Sequence, residues 1–297
     1  MPFIPADAKL STGARNRIAI IGPPGSGKTT ALLTFPDLVL LDRDKNAPPG
    51  VLTIPAWNPD WVKDLGIKNT IPGVPNFRDA IVKWLRLNHD KFEEGQTFAM
   101  DSWTFIQDAC DLQTHAEDDL NPPNKDGKRD GFWFWGQKLK YSQTIAEFIK
   151  SMRCHVVVTM HETVDRDEKG NINGKIRPVQ DGRYKDQVLG VFNNVWRMRG
   201  HMPRIDKDAP VGPAPRNADG TKKKQDLWFY WQLYGDSVID LKMDATLGRY
   251  CRANNIDKVE IKYDENTGLY SGGYQTIQKI YETANADREA KQTNNKT

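Results

Sequence analysis

Residues 22–29 read GPPGSGKT, a glycine-rich run closed by a lysine and a threonine at the spacing G-x-x-x-x-G-K-[ST]. Each position has a use in holding phosphate. Gly22, Gly25 and Gly27 permit backbone angles that turn successive N–H groups toward one anion, while Pro23, Pro24 and Ser26 fill the variable positions. Lys28 offers a cation to β and γ phosphates, and the Thr29 hydroxyl offers a ligand to magnesium. Thr30 follows inside a predicted helix, whose positive amino end faces the same anion. The bland alternative, a glycine loop that only turns the chain, is outweighed by context: an apolar strand precedes the run and a helix follows it.

A triphosphate site also needs acids. Asp101 closes the apolar run Phe98-Ala99-Met100, where a parallel strand sets it at the carboxyl edge beside the phosphates. There it can hold the magnesium shell through water; its ordinary alternative is a helix cap. A carboxylate that orients the attacking water is expected at the end of a neighbouring strand. Asp44 and Asp42 both sit at such an end, with Asp44 preferred and Glu162 a weaker candidate. His161 directly follows a valine-rich strand, where it could sense a γ phosphate; the plain reading is a half-exposed strand-end histidine. His89, His115, His155 and His201 show no metal-ligand spacing and read as structural or surface residues.

The elements that must carry these residues can be traced from periodicity. Apolar runs at residues 17–21, 38–41, 97–100 and 155–160 predict buried strands, and helical spacing predicts helices over 76–89, from about 105 to 119, and over 136–152. The proline-rich stretch 47–75 reads as irregular, 121–131 as a polar loop, and 164–179 as a hairpin or mobile loop. Residues 195–199 and 227–234 alternate like half-exposed strands. Strands alternating with helices predict an α/β fold with a mostly parallel sheet, helices on both faces and antiparallel strands added at the C-terminal side.

Composition leaves room for this. The 297 residues are 38% hydrophobic and 27% charged with a net charge of +3, a globular profile that decides nothing about nucleic acid. No apolar run reaches the roughly 20 residues that span a bilayer, so no membrane association is expected. The amino-terminal residues show no signal-peptide core, and the three cysteines lie far apart, which predicts reduced thiols in a cytoplasmic protein.

The order of motifs resembles the RecA-like ATPase core, and within it the phage-encoded nucleotide-binding family that includes RecA-like single-strand annealing recombinases. The resemblance rests on residues 22–30, on FAMDS at 98–102, on FWFWGQK at 132–138 and on HVVVTMHE at 155–162, and covers roughly residues 15–200. It implies a P-loop NTPase core in which Lys28 and Thr29 are the Walker A pair, Asp101 the Walker B acid, His161 the polar sensor and Asp44 the water-activating acid. A glutamate is usual at this last place. It further implies ATP and magnesium as cofactors, single-stranded DNA as partner, a homo-oligomer (filament or ring) and a phage-infected bacterial host. A single-strand-binding protein is weighed as an accessory partner.

By the same resemblance DNA is held by loops at residues 121–135 and 163–177. These carry Lys125, Lys128 and Arg129 beside Trp133, Phe134 and Trp135, and Arg166, Lys169, Lys175 and Arg177. Cations for phosphates plus aromatic faces for bases is what a single strand requires, although an aromatic run before a helix is often a packing anchor. Arg183, Lys185, Arg197 and Arg199 are candidates for a cation donated across a subunit interface. The implied organisation is an N-terminal extension (1–16), a RecA-like ATPase core (17–204), an exposed loop (205–226), strands and a helix completing the domain (227–283) and a disordered tail (284–297). Three other readings stand beside recombination: a replication ATPase such as a helicase loader, a small-molecule P-loop kinase, and an assembly protein that binds ATP only structurally. An AAA form of the second is disfavoured because Ser102, not a second acid, follows Asp101.

Overall fold

A computed structural model describes residues 16–120, 131–166, 172–179, 188–201, 228–235, 241–264 and 269–294. β1 (Arg17–Gly22) leads through the glycine turn into α1 (Lys28–Leu32), followed by β2 (Leu38–Asp42) and β3 (Leu52–Pro55). Next come α2 (Pro59–Asp64), α3 (Phe77–Asn88), β4 (Thr97–Asp101), α4 (Trp103–Leu120) and α5 (Gly131–Ser151). β5 (His155–Arg166), β6 (Ile172–Pro178), β7 (Asn194–His201), β8 (Trp228–Gln232), α6 (Ala245–Ala253), β9 (Lys258–Asp264), β10 (Leu269–Gly272) and α7 (Tyr274–Asn294) complete the chain.

The strands lie in the order β10-β9-β8-β7-β1-β5-β4-β2-β3, with β6 paired to β5. From β7 to β3 all neighbours are parallel, and β8, β9 and β10 extend the sheet antiparallel beyond β7. This is the mostly parallel α/β sheet with helices on both faces, a P-loop NTPase core. Strand alternation splits the core in two. Ala19, Ile21, Phe98, Met100, Val156 and Val158 face Ile81, Leu85, Ile106, Ile145 and Ile149 of α3, α4 and α5. Ile18, Ile20, Leu40, Ala99 and Val157 face Leu32, Leu247, Cys251 and Ile277 of α1, α6 and α7.

Four features differ from the sequence reading. The stretch 47–75 is not wholly irregular: it holds β3, an edge strand of four residues. It also holds α2, started by the Asn58 side chain accepting from the Asp60 N–H with Pro59 at the first position. Helix α5 begins at Gly131, five residues early, because Trp133–Trp135 continue its turn and Phe134 packs 4.4 Å from the His115 ring. β5 runs on to Arg166, so His161 lies within a strand and its far half forms an antiparallel hairpin with β6. Residues 284–294 are helical, not a disordered tail: Tyr274, Ile277, Tyr281 and Ala284 are buried at helical spacing, and the residues beyond them include the good helix formers Ala286, Arg288, Glu289, Ala290, Lys291 and Gln292. Residues 1–15 and the loop at 205–226 lie outside the described residues.

Candidate nucleotide site

β1 delivers the glycine loop at the carboxyl edge of the sheet. Gly25 and Gly27 have φ of +73° and +86°, angles that side chains resist. A Cβ on Gly27 would stand 2.5 Å from the Phe229 ring of β8, and one on Gly22 would stand 2.8 Å from Ser26 Oγ and 2.9 Å from the Met198 carbonyl oxygen. The turn is therefore fitted to glycine by conformation at one position, by contact at another and by both at Gly27. Lys28 is buried and its Nζ donates to the carbonyl oxygens of Gly22 (3.0 Å) and Pro23 (2.8 Å), which holds the amine over the loop. Burial pushes its pKa down, against the pull of the carboxylates of Asp101, Asp44 and Glu162.

Asp101 ends β4 at 1% exposure. Its Oδ2 accepts from the Thr29 hydroxyl at 2.6 Å, and its Oδ1 accepts from the Thr159 hydroxyl of β5. Burial raises its pKa; the two hydrogen bonds oppose this, and the nearby charges of Asp44 and Asp42 add to it. Asp44, two residues past β2, accepts from the Ser102 N–H (2.9 Å) and Ser102 Oγ (3.1 Å) through Oδ1. Its other oxygen lies 3.9 Å from His161 Nε2. The His161 N–H donates to Thr104 Oγ1 at 3.0 Å, and the Phe105 ring meets the imidazole edge-on. Asp42, the alternative, is turned away to cap its own loop, accepting from the N–H groups of Asn46 and Ala47 at 3.2 Å each. Glu162 binds Arg197 of β7 in a two-pronged pair at 2.8 and 2.6 Å.

Thus Lys28, Thr29, Asp101, Asp44 and His161, drawn from four separate segments, converge on one edge. The loop also has the donor set for an anion: the Ser26 hydroxyl is buried with no hydrogen-bond partner, and the lysine follows one glycine later in the sequence. Thr159 and Thr104 were missed from sequence, and Ser102 was read there only as part of the motif, not as a partner of Asp44. The signal for Thr159 was a lone hydroxyl in the run Val156–Met160, and it gains meaning only once β5 is known to lie between β1 and β4.

The nucleic-acid candidates are not brought to a common surface by the described residues. Lys125, Lys128, Arg129 and Lys169 lie outside them, as do Arg183 and Lys185; Arg166 and Lys175 fall on β5 and β6 with their side chains undescribed. Arg177 sits on β6 opposite Thr163. Trp135 is 49% exposed on α5, whereas Arg197 is committed to Glu162 within the chain.

Among the described residues no helix is long and apolar enough to cross a membrane. No curated protein gives a significant match. A family model described as an AAA domain matches residues 14–224. It does so although Ser102 follows Asp101, so the lack of a second acid there does not set this chain apart from that family. The glycine loop, its lysine and threonine, the strand-end aspartate and this match over most of the sequence agree: the chain belongs to the AAA-domain family of nucleotide-binding P-loop ATPases.

Proposed function

We propose that the protein is a magnesium-dependent, RecA-like ATPase of phage origin that acts on single-stranded DNA in recombination, by annealing or pairing strands. The observation that carries the catalytic half is the chain of contacts Thr29–Asp101–Thr159 beside Ser102–Asp44–His161. In this reading Lys28 and the loop N–H groups bind the triphosphate, and Thr29 with Asp101 holds magnesium, which when bound polarises phosphate oxygens. Asp44 orients water and accepts its proton, kept in place by Ser102. His161 reports the state of the site along its own strand to the β5–β6 hairpin, since both lie on one continuous element.

The same reading gives Lys125, Lys128, Arg129, Arg166, Lys169, Lys175 and Arg177 to the DNA backbone. It has the chain work as a homo-oligomer, filament or ring, in the cytoplasm of the host, with a single-strand-binding protein as accessory partner. The deciding assay is ATP turnover with and without single-stranded DNA, with Lys28→Ala as the control. Strong stimulation supports the proposal; phosphate transfer to a nucleoside monophosphate, or binding without turnover, sinks it. A second reading, a replication-associated ATPase such as a helicase loader, is favoured by the AAA-domain match, and a test for loading of a helicase onto DNA separates the two.

A further inference from the structure

The carboxyl edge of β2 and β3 carries a second group of charged and aromatic side chains beside the acids just described. The two strands pair with Asp42 opposite Pro55, so residues 43–45 and 56–57 leave the sheet next to one another. Arg43 lays its guanidinium over the Phe77 ring at the start of α3, 4.1 Å from the centroid, and the Lys45 ammonium stands 4.6 Å from the centroid of Trp57. Stacking serves the π face of a guanidinium but leaves its in-plane donors unused. Arg43 Nε is buried and has no hydrogen-bond partner. Nearby acids, Asp44 and Asp108, attract the guanidinium only through space, while burial pushes its pKa down. Burying an unmade donor is costly, so Nε calls for an acceptor that the described side chains do not supply. A fork of N–H donors fits a phosphate, and an ammonium two residues away fits the next one. Trp57 is only partly buried, which leaves ring surface for a base.

We propose that Arg43, Lys45, Trp57 and Phe77 form a platform for a single nucleic-acid strand, with Arg43 and Lys45 taking backbone phosphates and Trp57 stacking a base. The proposal rests on the reading of this protein as acting on single-stranded DNA, and adds a contact surface separate from the segments 121–135 and 163–177. Asp44 lies between Arg43 and Lys45 in the chain, so a strand held by these two side chains runs beside the acids of the nucleotide site.

The test uses the full chain, ATP and fluorescent oligo(dT), read by anisotropy over a range of salt, with binding of a fluorescent ATP analogue measured alongside. Arg43→Gln is expected to weaken oligo(dT) about tenfold and to reduce the slope of log affinity against log salt by about 0.7. Trp57→Leu is expected to weaken it ~5- to 100-fold at unchanged slope. Lys45→Glu, at an exposed position, carries the charge test if Arg43→Gln folds poorly. ATP-analogue affinity should match wild type in all three. Wild-type oligo(dT) affinity and slope in the charge and ring variants would overturn the platform while leaving the wider reading intact. Equal competition by an acidic polypeptide would overturn it as well. Wild-type protein that binds the ATP analogue but not oligo(dT) would overturn the wider reading, and the platform with it.

Discussion

Replacing Thr159 with valine removes one hydroxyl from the centre of the site and almost no volume. Thr159 is 0% exposed and Asp101 1% exposed, so water cannot restore the lost contact. The bond from Thr159 to Asp101 Oδ1 joins a hydroxyl to a carboxylate, and Oδ2 keeps only its bond from Thr29. Losing such a charge-assisted bond costs about 1.5–3 kcal/mol, which for a chain of this size lowers the melting temperature by ~3–12 °C at neutral pH. The loss should also depend on pH. Burial raises the folded pKa of Asp101 above its ordinary value of 3.8, so between those two values the folded state keeps a proton that the unfolded state releases. Stability from this group is thus fullest in acid and falls as pH rises through the folded pKa. Valine raises the folded pKa further, so the gap between wild type and variant widens from acid to neutral pH. Melts followed by circular dichroism across this range measure it, beside Thr114→Val as control. Thr114 is equally buried, but its hydroxyl donates to the neutral Cys110 carbonyl oxygen. Equal, pH-independent losses in the two variants would refute the account of Asp101 as a buried carboxylate held by hydroxyls.

Asp44→Asn should lower ATP turnover ~10²- to 10⁴-fold with ATP affinity kept, whereas Asp42→Asn should cost about 1–2 kcal/mol of stability in a chemical melt and spare turnover. The reverse pattern would move the base to Asp42. Gly27→Ala forces a side chain into φ +86° and against Phe229, and should weaken ATP ~10- to 100-fold by fluorescence titration. Phe229→Ala added to it should restore only part, because the φ remains. His155 accepts from the Asn16 N–H and contacts the Tyr274 hydroxyl at 2.9 Å, and burial pushes its pKa below the ordinary 6.5. The unfolded state therefore gains a proton first on acidification, so stability falls as pH drops below 6.5; His155→Gln should flatten that slope in melts at pH 5–7.

The phosphate loop was legible in sequence because its parts are local. Eight consecutive residues supply the turn, the amine and the hydroxyl, and the flanking strand and helix declare themselves by short-range pattern. Asp101 was legible for a related reason, since an acid after an apolar run must leave a parallel strand at its carboxyl edge. The edge strand β3 and helix α2 were not, because four and six residues give too little periodicity to read. Helix from Ala284 to Asn294 was hidden as well: of its described side chains only Ala284 is buried, so no apolar stripe marks it in the sequence.

The division at the site itself follows from range. Residue types and spacing alone determined a triphosphate loop and the set of acids from which it could be served. Only the fold gave Asp44 and Asp42 different directions, one carboxylate turning to Ser102 and the other back to its own loop. The strand order, which slips β5 between β1 and β4, set Thr159 against Asp101 and His161 near Asp44. Contacts 58 residues apart in the chain, such as Thr159 to Asp101, depend on which strands become neighbours, and that is decided by packing of whole faces rather than by any local run of residues.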